Sequence, residues 1–545
     1  MSAQVEKYRA NLAREVRSRP MGTPTRRDLL TMIGATAGSA AMYQAMTALG
    51  HAAPSTFSGP VSLEGDPGGA SVLVLGAGVA GMTAALELRD AGYNVKILEY
   101  REKAGGRCWT LRGGDRYEEL GGAVQNVGFA EGNYINPGPW RLPHDHHAVL
   151  HYCKRFGVQL EPFIEKNHNA YLHNTEAFGG KPQRYREVAS DYRGHISELL
   201  AKSLKAGNLN DQVTAEDREV LLESLRNVGA LNENYEYRSS LKTSRFRGYD
   251  RDPGAGVDGA PLPSTPLDPS QILNSNLWRR FAITEEMEFQ TPMFQPVGGM
   301  DMIAQAFARE VGDLITYNAR VTSLLQEDGQ VRVVYEDTAA GNAQRTETAD
   351  YCVCTIPFSI LGQIEHNLSA DLSKAIDNMY YLGSAKWGLE FKRRFWEQDE
   401  DIYGGISYTN LPIELISYPS TGFFSDGPAV VLGGYSWSPE ETYEFNAMSP
   451  KERVRWAVEF GSQIHPQYKD EYKSGVSVVW HKVPWVLGCF GIWRDKDTDY
   501  QKAIKLDNRV ICAGEHLSYR GAWLEGGILS GLNAIQTLHE RVIQA

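Results

Sequence analysis

The stretch from Ser71 to Arg107, SVLVLGAGVAGMTAALELRDAGYNVKILEYREKAGGR, constrains this chain more than any other. Val72 to Leu75 is a short apolar run of the kind a buried parallel strand requires. Gly76, Gly78 and Gly81 follow in G-x-G-x-x-G order, at a strand-to-helix junction. The first glycine permits a tight turn, the second lets a pyrophosphate reach the backbone, and the third lets helix and strand pack closely. Thr83 to Asp90 reads as a helix whose N-terminus faces that pyrophosphate. A second, mostly apolar run, Val95 to Leu98, ends in Glu99. That is about 20 residues on, where an acid accepts a ribose hydroxyl. A lone glycine motif is weak evidence; a complete strand–helix–strand–acid unit specifies an adenine dinucleotide site.

At 545 residues the chain is too long for one simple core, and two or three domains are expected. The formal net charge of -12, with no basic tract, argues against nucleic acid or an anionic membrane surface as the main partner. Cys108, Cys153, Cys352, Cys354, Cys489 and Cys512 are scattered without a C-x-x-C pair, so no zinc or disulfide framework is visible. His144, Asp145, His146 and His147 are the nearest thing to a metal cluster. They open an amphipathic helix (Ala148, Val149, Tyr152, Phe156), and a polar first turn is the simpler expectation, with no metal.

Thr25, Arg26, Arg27, Asp28, Leu29 and Leu30 precede a weakly apolar, Gly- and Ala-rich stretch that ends at Leu49 and is followed by His51-Ala-Ala-Pro54. This pattern is that of a twin-arginine export signal over residues 1–53, with a small-residue cleavage site. A periplasmic or secreted protein is expected, with a cytoplasmic one as the alternative. The stretch is too polar to anchor stably in a bilayer.

Residues 117–143 are rich in Gly, Asn and Pro and read as loop. Arg184 to about Asn234 reads as helices, with Ile196, Leu199, Leu200 and Leu204 on one face and Val220, Leu221 and Leu225 on another. Residues 239–268 read as a long flexible loop. Short strands follow at Ala319–Leu325, Val331–Tyr335, Tyr351–Thr355 and Arg509–Ala513.

The tail of the opening unit, Gly105, Gly106 and Arg107, resembles the GGR motif of two-dinucleotide-binding-domain flavoproteins, which points to FAD. LGGA at 120–123, GGM at 298–300, NARVTSL around Val321 and CAGEH at 512–516 extend the resemblance. Together they identify the chain, from about Ser71 to Val542, as similar to the flavin-containing amine oxidases, and within them to bacterial L-amino-acid oxidases. The resemblance implies an α/β (mixed α+β) architecture. An FAD-binding domain is assembled from 70–140, 298–360 and 480–545. A mixed-sheet substrate domain takes 141–180 and 361–479, and a helical insertion 181–297. It also implies that Gly76, Gly78, Gly81, Glu99 and Gly106 hold FAD, with Arg107 neutralising phosphate. Val321 contacts adenine through its backbone, and Gly514 and Glu515 lie near ribityl and pyrophosphate. A homodimer or higher homo-oligomer is expected.

The segment GPWRLPHDHHAVLHYCKRFGVQLEPF resembles the part of L-amino-acid oxidases that carries the carboxylate-binding arginine, which maps onto Arg141. An α-carboxylate favours a bidentate guanidinium, and without one an arginine there would be a buried unpaired charge. In SAKWGLEF, strand alternation alone points Lys386 away from the apolar face, toward solvent. The resemblance reverses this and implies a catalytic lysine that holds a water beside the flavin, with a pKa lowered by desolvation. Tyr435, in GGYSWS, resembles a second carboxylate ligand, and Tyr418 follows the same logic. Phe490 and Trp523 match aromatic walls about the substrate amine. Cys489 stands where some relatives attach FAD covalently, but the following GIWRDKD departs from that pattern, so non-covalent FAD is expected. The implied reaction is oxidative deamination of an L-α-amino acid with oxygen. An amide-forming amino-acid 2-monooxygenase and an amine or polyamine oxidase are the alternatives.

Overall fold

The computed structural model describes residues 55, 57–59, 61–210 and 213–544; the twin-arginine-like segment at 25–30 lies outside them. One parallel sheet is built from strands far apart in sequence, in the order Ile315–Thr316, Asn94–Leu98, Ser71–Leu75, Tyr351–Cys354 and Val510–Cys512. Side-chain alternation explains why its central strands are apolar throughout. Val72, Val74, Ile97, Val353 and Ile511 face a core shared with the helices Val79–Asp90, Asp301–Val311 and Leu524–Ile543. Leu73, Leu75, Leu98, Cys352, Cys354 and Cys512 face the opposite core. There the long hairpin Ala319–Glu327 and Gln330–Asp337 contributes Leu324, Val331 and Val333.

A second, mixed sheet runs Gln183–Arg184, Tyr171–His173, Ile406–Thr409, Leu415–Ser417, Ala429–Ser436, Ala385–Phe391 and Tyr472–Val479. Only Tyr171–His173 and Ile406–Thr409 pair in parallel. Its Ala385–Phe391 strand is paired on both sides and buried at every position. Trp387, Leu389 and Phe391 enter one core. On the other face Gly388 packs against Ile135, and Glu390 accepts from the Ala130 N–H and from Asn133 Nδ2. Alternation here separates two covered faces, not core from solvent.

The helical segment corrects two sequence expectations. On Tyr185–Lys205 the buried face is Tyr185, Val188, Asp191, Gly194, Ser197, Ala201 and Leu204, while Ile196 and Leu199 are exposed. Close packing chose that face: a Cβ at Gly194 would lie 2.3 Å from the Tyr237 ring. On Ala215–Val228 the buried residues are Leu222 and Leu225, and Val220 is exposed. The stretch 239–268 is more ordered than a flexible loop. It holds the helix Leu241–Arg247, started by a capping box between Ser240 and Thr243, and the strand pair Tyr249–Arg251 with Leu262–Pro263. Arg247 is buried against Asp191 at 2.9 Å. Among the described residues no helix is long and apolar enough to cross a membrane.

Candidate active site

A cavity of about 530 Å³ runs from the glycine turn to the mixed sheet. Every residue nominated from sequence lines it except Gly81 and Tyr418. Gly76 has φ +102° and donates to the Leu98 carbonyl, and a Cβ there would lie 2.7 Å from Thr355 Oγ1. A Cβ at Gly81 would lie 2.1 Å from the Gly76 carbonyl oxygen, so this glycine sets how closely helix and turn pack. At Gly78 a Cβ would meet nothing within 4 Å. That open side faces the cavity at the N-terminus of Val79–Asp90, where backbone N–H groups favour an anion. The cradle therefore fits a dinucleotide pyrophosphate.

Glu99 is buried, accepts from the Ala77 and Arg101 N–H groups, and lines the cavity with Val321. Burial raises its pKa. Gly106 packs on Gly78, where an added Cβ would come within 3.3 Å of Cα. Arg107 donates to Glu515 Oε1 at 2.6 Å and to the Cys489 carbonyl at 2.9 Å. Glu515 balances the Arg107 charge, and Arg107 also lines the cavity beside Gly78 and Gly106. Burial opposes the Glu515 charge, but Arg107, His516 and the Ala522 N–H together hold its carboxyl below the usual range. Gly514, at φ +143°, carries the chain into this turn.

At the other end, Lys386 and Tyr435 are directly paired across Ala385–Phe391 and Ala429–Ser436. Lys386 Nζ donates to the Gly138 carbonyl and stands 4.3 Å from the ring centres of both Trp140 and Tyr435. Only 3% of the lysine is exposed. Burial, with Arg141 adding to it, lowers its pKa to about 7, and Cys489 opposes the shift. The solvated lysine suggested by alternation is thus corrected, because the second sheet face is roofed by the 130–140 loop.

Arg141 lies with its guanidinium 4.4 Å from the Trp140 ring centre and 4.9 Å from that of Phe289. Its Nη1 is 3.0 Å from Glu165 Oε2. Neither Glu165 oxygen has a hydrogen-bond partner, so the pair is held by charge and proximity alone. Burial raises the Glu165 pKa despite Arg141. This corrects the premise that Arg141 would be unpaired without a substrate carboxylate.

Phe490 and Trp523 both line the cavity. Trp523 is fixed from behind: its Nε1 donates to Glu288 Oε2 at 3.3 Å, and His146 meets its face edge-on at 4.9 Å. Arg520 bonds Asp145 at 2.5 Å and Glu288 at 3.4 Å. Asp145 and His146, in the polar run 144–147 that precedes and opens the helix, are packed inward, not turned to solvent. Burial pushes His146 down to about 3, and Glu525 accepts the Ala148 and Val149 N–H groups that start the helix.

Tyr418 is also corrected. It follows the strand Leu415–Ser417 and turns into the core that holds Trp387, while Leu415 faces the cavity. Its hydroxyl bonds Ser407 and His465 at 2.7 and 2.6 Å. Sequence reasoning missed Trp140, Glu165, Glu286 and Trp437. Trp140 had a signal, standing beside Arg141 in GPWRLP. Glu165 and Glu286 had none: neither belongs to a motif, and Glu286 is one of three acids in TEEMEF.

Residues 79–538 match the family model described as flavin containing amine oxidoreductase. YobN of Bacillus subtilis (strain 168), named provisionally as an L-amino-acid oxidase, is 30% identical over 480 residues, covering 85% of this chain and 93% of that protein. The L-amino-acid oxidase of Siganus canaliculatus is 27% identical, covering 87% of this chain and 86% of that protein. A putrescine oxidase structure superposes with a TM-score of 0.56 at 16% identity, over 87% of this chain and 99% of the other; this likeness concerns the fold.

Proposed function

The chain belongs to the flavin-containing amine oxidoreductases, and from that premise we propose that it is an FAD-dependent L-amino-acid oxidase. The observation that carries this reading is Arg141 in the same cavity as Lys386, Tyr435, Phe490 and Trp523, continuous with the dinucleotide cradle. The α-carboxylate binds Arg141, displacing Glu165 as its counter-charge, with Tyr435 as a second ligand. The aromatic walls of Phe490 and Trp523 favour the neutral amine over the ammonium. Holding carboxylate and amine together fixes the direction of the Cα–H bond, and orientation of this kind supplies much of a rate enhancement. Bound non-covalently, FAD supplies the hydride acceptor and the electron relay to dioxygen, giving hydrogen peroxide. Lys386 Nζ, anchored on the Gly138 carbonyl and neutral above about pH 7, holds the water that hydrolyses the imino acid to 2-oxo acid and ammonia.

The segmental division into FAD-binding, substrate and helical parts belongs to this reading, as does export through Arg26 and Arg27. Fractionation of wild type against an Arg26→Lys, Arg27→Lys variant tests export: only wild type should leave the cytoplasm. The reaction is tested by assaying peroxide, ammonia and organic product over the L-amino acids, their D-forms and matching amines. A 2-oxo acid with stoichiometric peroxide supports an oxidase. An amide indicates the 2-monooxygenase, and turnover of amines alone indicates an amine oxidase.

A further inference from the structure

The cavity wall also carries Glu286, Arg280, Tyr408 and Trp437, which the reaction above does not use. Glu286 Oε2 is closed off from solvent and has no hydrogen-bond partner. The charged group acting on Glu286 is another acid, Glu288. A carboxylate oxygen shut from water without a partner is costly, so this position is incomplete as the protein stands.

The cations of the cavity are engaged elsewhere. Arg141 has Glu165. Lys386 is anchored on Gly138. The Arg280 guanidinium lies 5.0 Å from the Tyr408 ring centre, and its charge acts on Glu414, the acid that accepts the Trp437 and Ser438 N–H groups. Burial, with Glu288 adding to it, raises the Glu286 carboxyl to about 7, so Glu286 is an acid without a cation, and a cationic ligand head would draw it into its charged form. The Glu286 main-chain carbonyl accepts from the Phe289 N–H at 2.8 Å, and the Phe289 ring lies under Arg141. One turn of chain therefore separates the group offered to a side chain from the ring beneath the group offered to the α-carboxylate. Aromatic walls with a single carboxylate suit an aliphatic stem that ends in a cation: the stem packs on the rings and the head meets the acid.

We propose that Glu286 reads the substrate side chain, and that this enzyme acts preferentially on L-amino acids with basic side chains of the lysine, ornithine or arginine type. The proposal rests on the L-amino-acid oxidase reading. L-norleucine separates the two, because it keeps the lysine stem and lacks the charge.

The test is steady-state peroxide release by FAD-loaded wild type and Glu286→Gln with L-lysine, L-ornithine, L-arginine, L-norleucine, L-phenylalanine and L-glutamate. In wild type, kcat/KM for L-lysine or L-arginine should exceed that for L-norleucine by about tenfold or more, the worth of one charge-assisted contact. Glu286→Gln should remove that advantage and leave L-norleucine within about twofold of wild type. Wild type that favours L-norleucine or L-phenylalanine over the basic substrates overturns the proposal and leaves the oxidase reading standing. Preference for L-glutamate overturns it in favour of Arg280. Equal loss on every substrate in Glu286→Gln makes the residue structural and also overturns it. Turnover of amines with no L-amino acid oxidised overturns both readings.

Discussion

Arg141 Nη1 stands 3.0 Å from Glu165 Oε2, a contact between a guanidinium that lines the cavity and a carboxylate that is 1% exposed. The arginine is held in place before substrate arrives, and its counter-charge is one a substrate carboxylate can replace. Arg141→Met should raise KM for amino acids far more than for the matching decarboxylated amines, a loss on the order of 2–5 kcal/mol of binding. Glu165→Gln should leave the guanidinium without a counter-charge and lower Tm, since breaking a buried pair costs about 3–5 kcal/mol. A non-reacting carboxylate ligand should recover part of that Tm. Equal effects of Arg141→Met on acid and amine substrates would show that the arginine has no part in binding the carboxylate.

Lys386 gives a prediction with a defined sign. Burial lowers its pKa in the folded protein to about 7, against roughly 10.4 in an unfolded chain. Between those values the unfolded state binds the proton and the folded state does not, so stability rises with pH across that window. The penalty is present in full below about pH 7 and gone above about pH 10.4. Lys386→Met should flatten this slope in Tm measured from pH 6 to 10, and should remove an ionisation near pH 7 from reoxidation or imine hydrolysis while FAD stays bound. Apoprotein from Lys386→Met would mark the lysine as structural.

The dinucleotide cradle was legible because Gly76 and Gly81 sit where a Cβ would collide, Gly81 under the Gly76 carbonyl, and Gly78 leaves the open approach between them. Lys386 and Arg141 were legible only through resemblance. Alternation reports that Lys386 and Trp387 face opposite ways, but not that the lysine's face is roofed by the 130–140 loop. Tyr418 failed for the related reason that the strand Leu415–Ser417 turns Leu415 toward the cavity and leaves Tyr418, just past its end, in the opposite core. On Tyr185–Lys205 the apolar stripe misled because Gly194 and Ser197 pack more closely against Tyr237 and Gly229 than leucines can. Glu165 and Glu286 reach the site from turns distant in sequence, and no local pattern marks that.

Two glycine substitutions separate cofactor binding from folding. Gly78→Ala adds a methyl into open space at an ordinary φ of -75°, so the apoprotein should keep its Tm while FAD affinity falls. Gly81→Ala puts a methyl 2.1 Å from a backbone oxygen and should lower apoprotein stability itself. Thermal melts of each apoprotein, followed by FAD titration, check both. A destabilised Gly78→Ala apoprotein would contradict a free approach for the pyrophosphate.

Cys489 is half-buried and lines the cavity, and desolvation raises its thiol above the usual range, which leaves little thiolate to form a flavin bond. Acid precipitation of the yellow holoprotein should release all FAD into the supernatant. Flavin retained in the pellet, and lost from it in Cys489→Ser, would establish a covalent link.

The most direct measurement is anaerobic mixing of the holoprotein with a single L-amino acid, its D-form and its decarboxylated amine, followed by the visible flavin absorbance. Bleaching by the L-amino acid, with little by the D-form or the amine, is the expected result, and Arg141→Met should abolish the difference between acid and amine. Bleaching by the amine and not by the L-amino acid would contradict an oxidase built around Arg141.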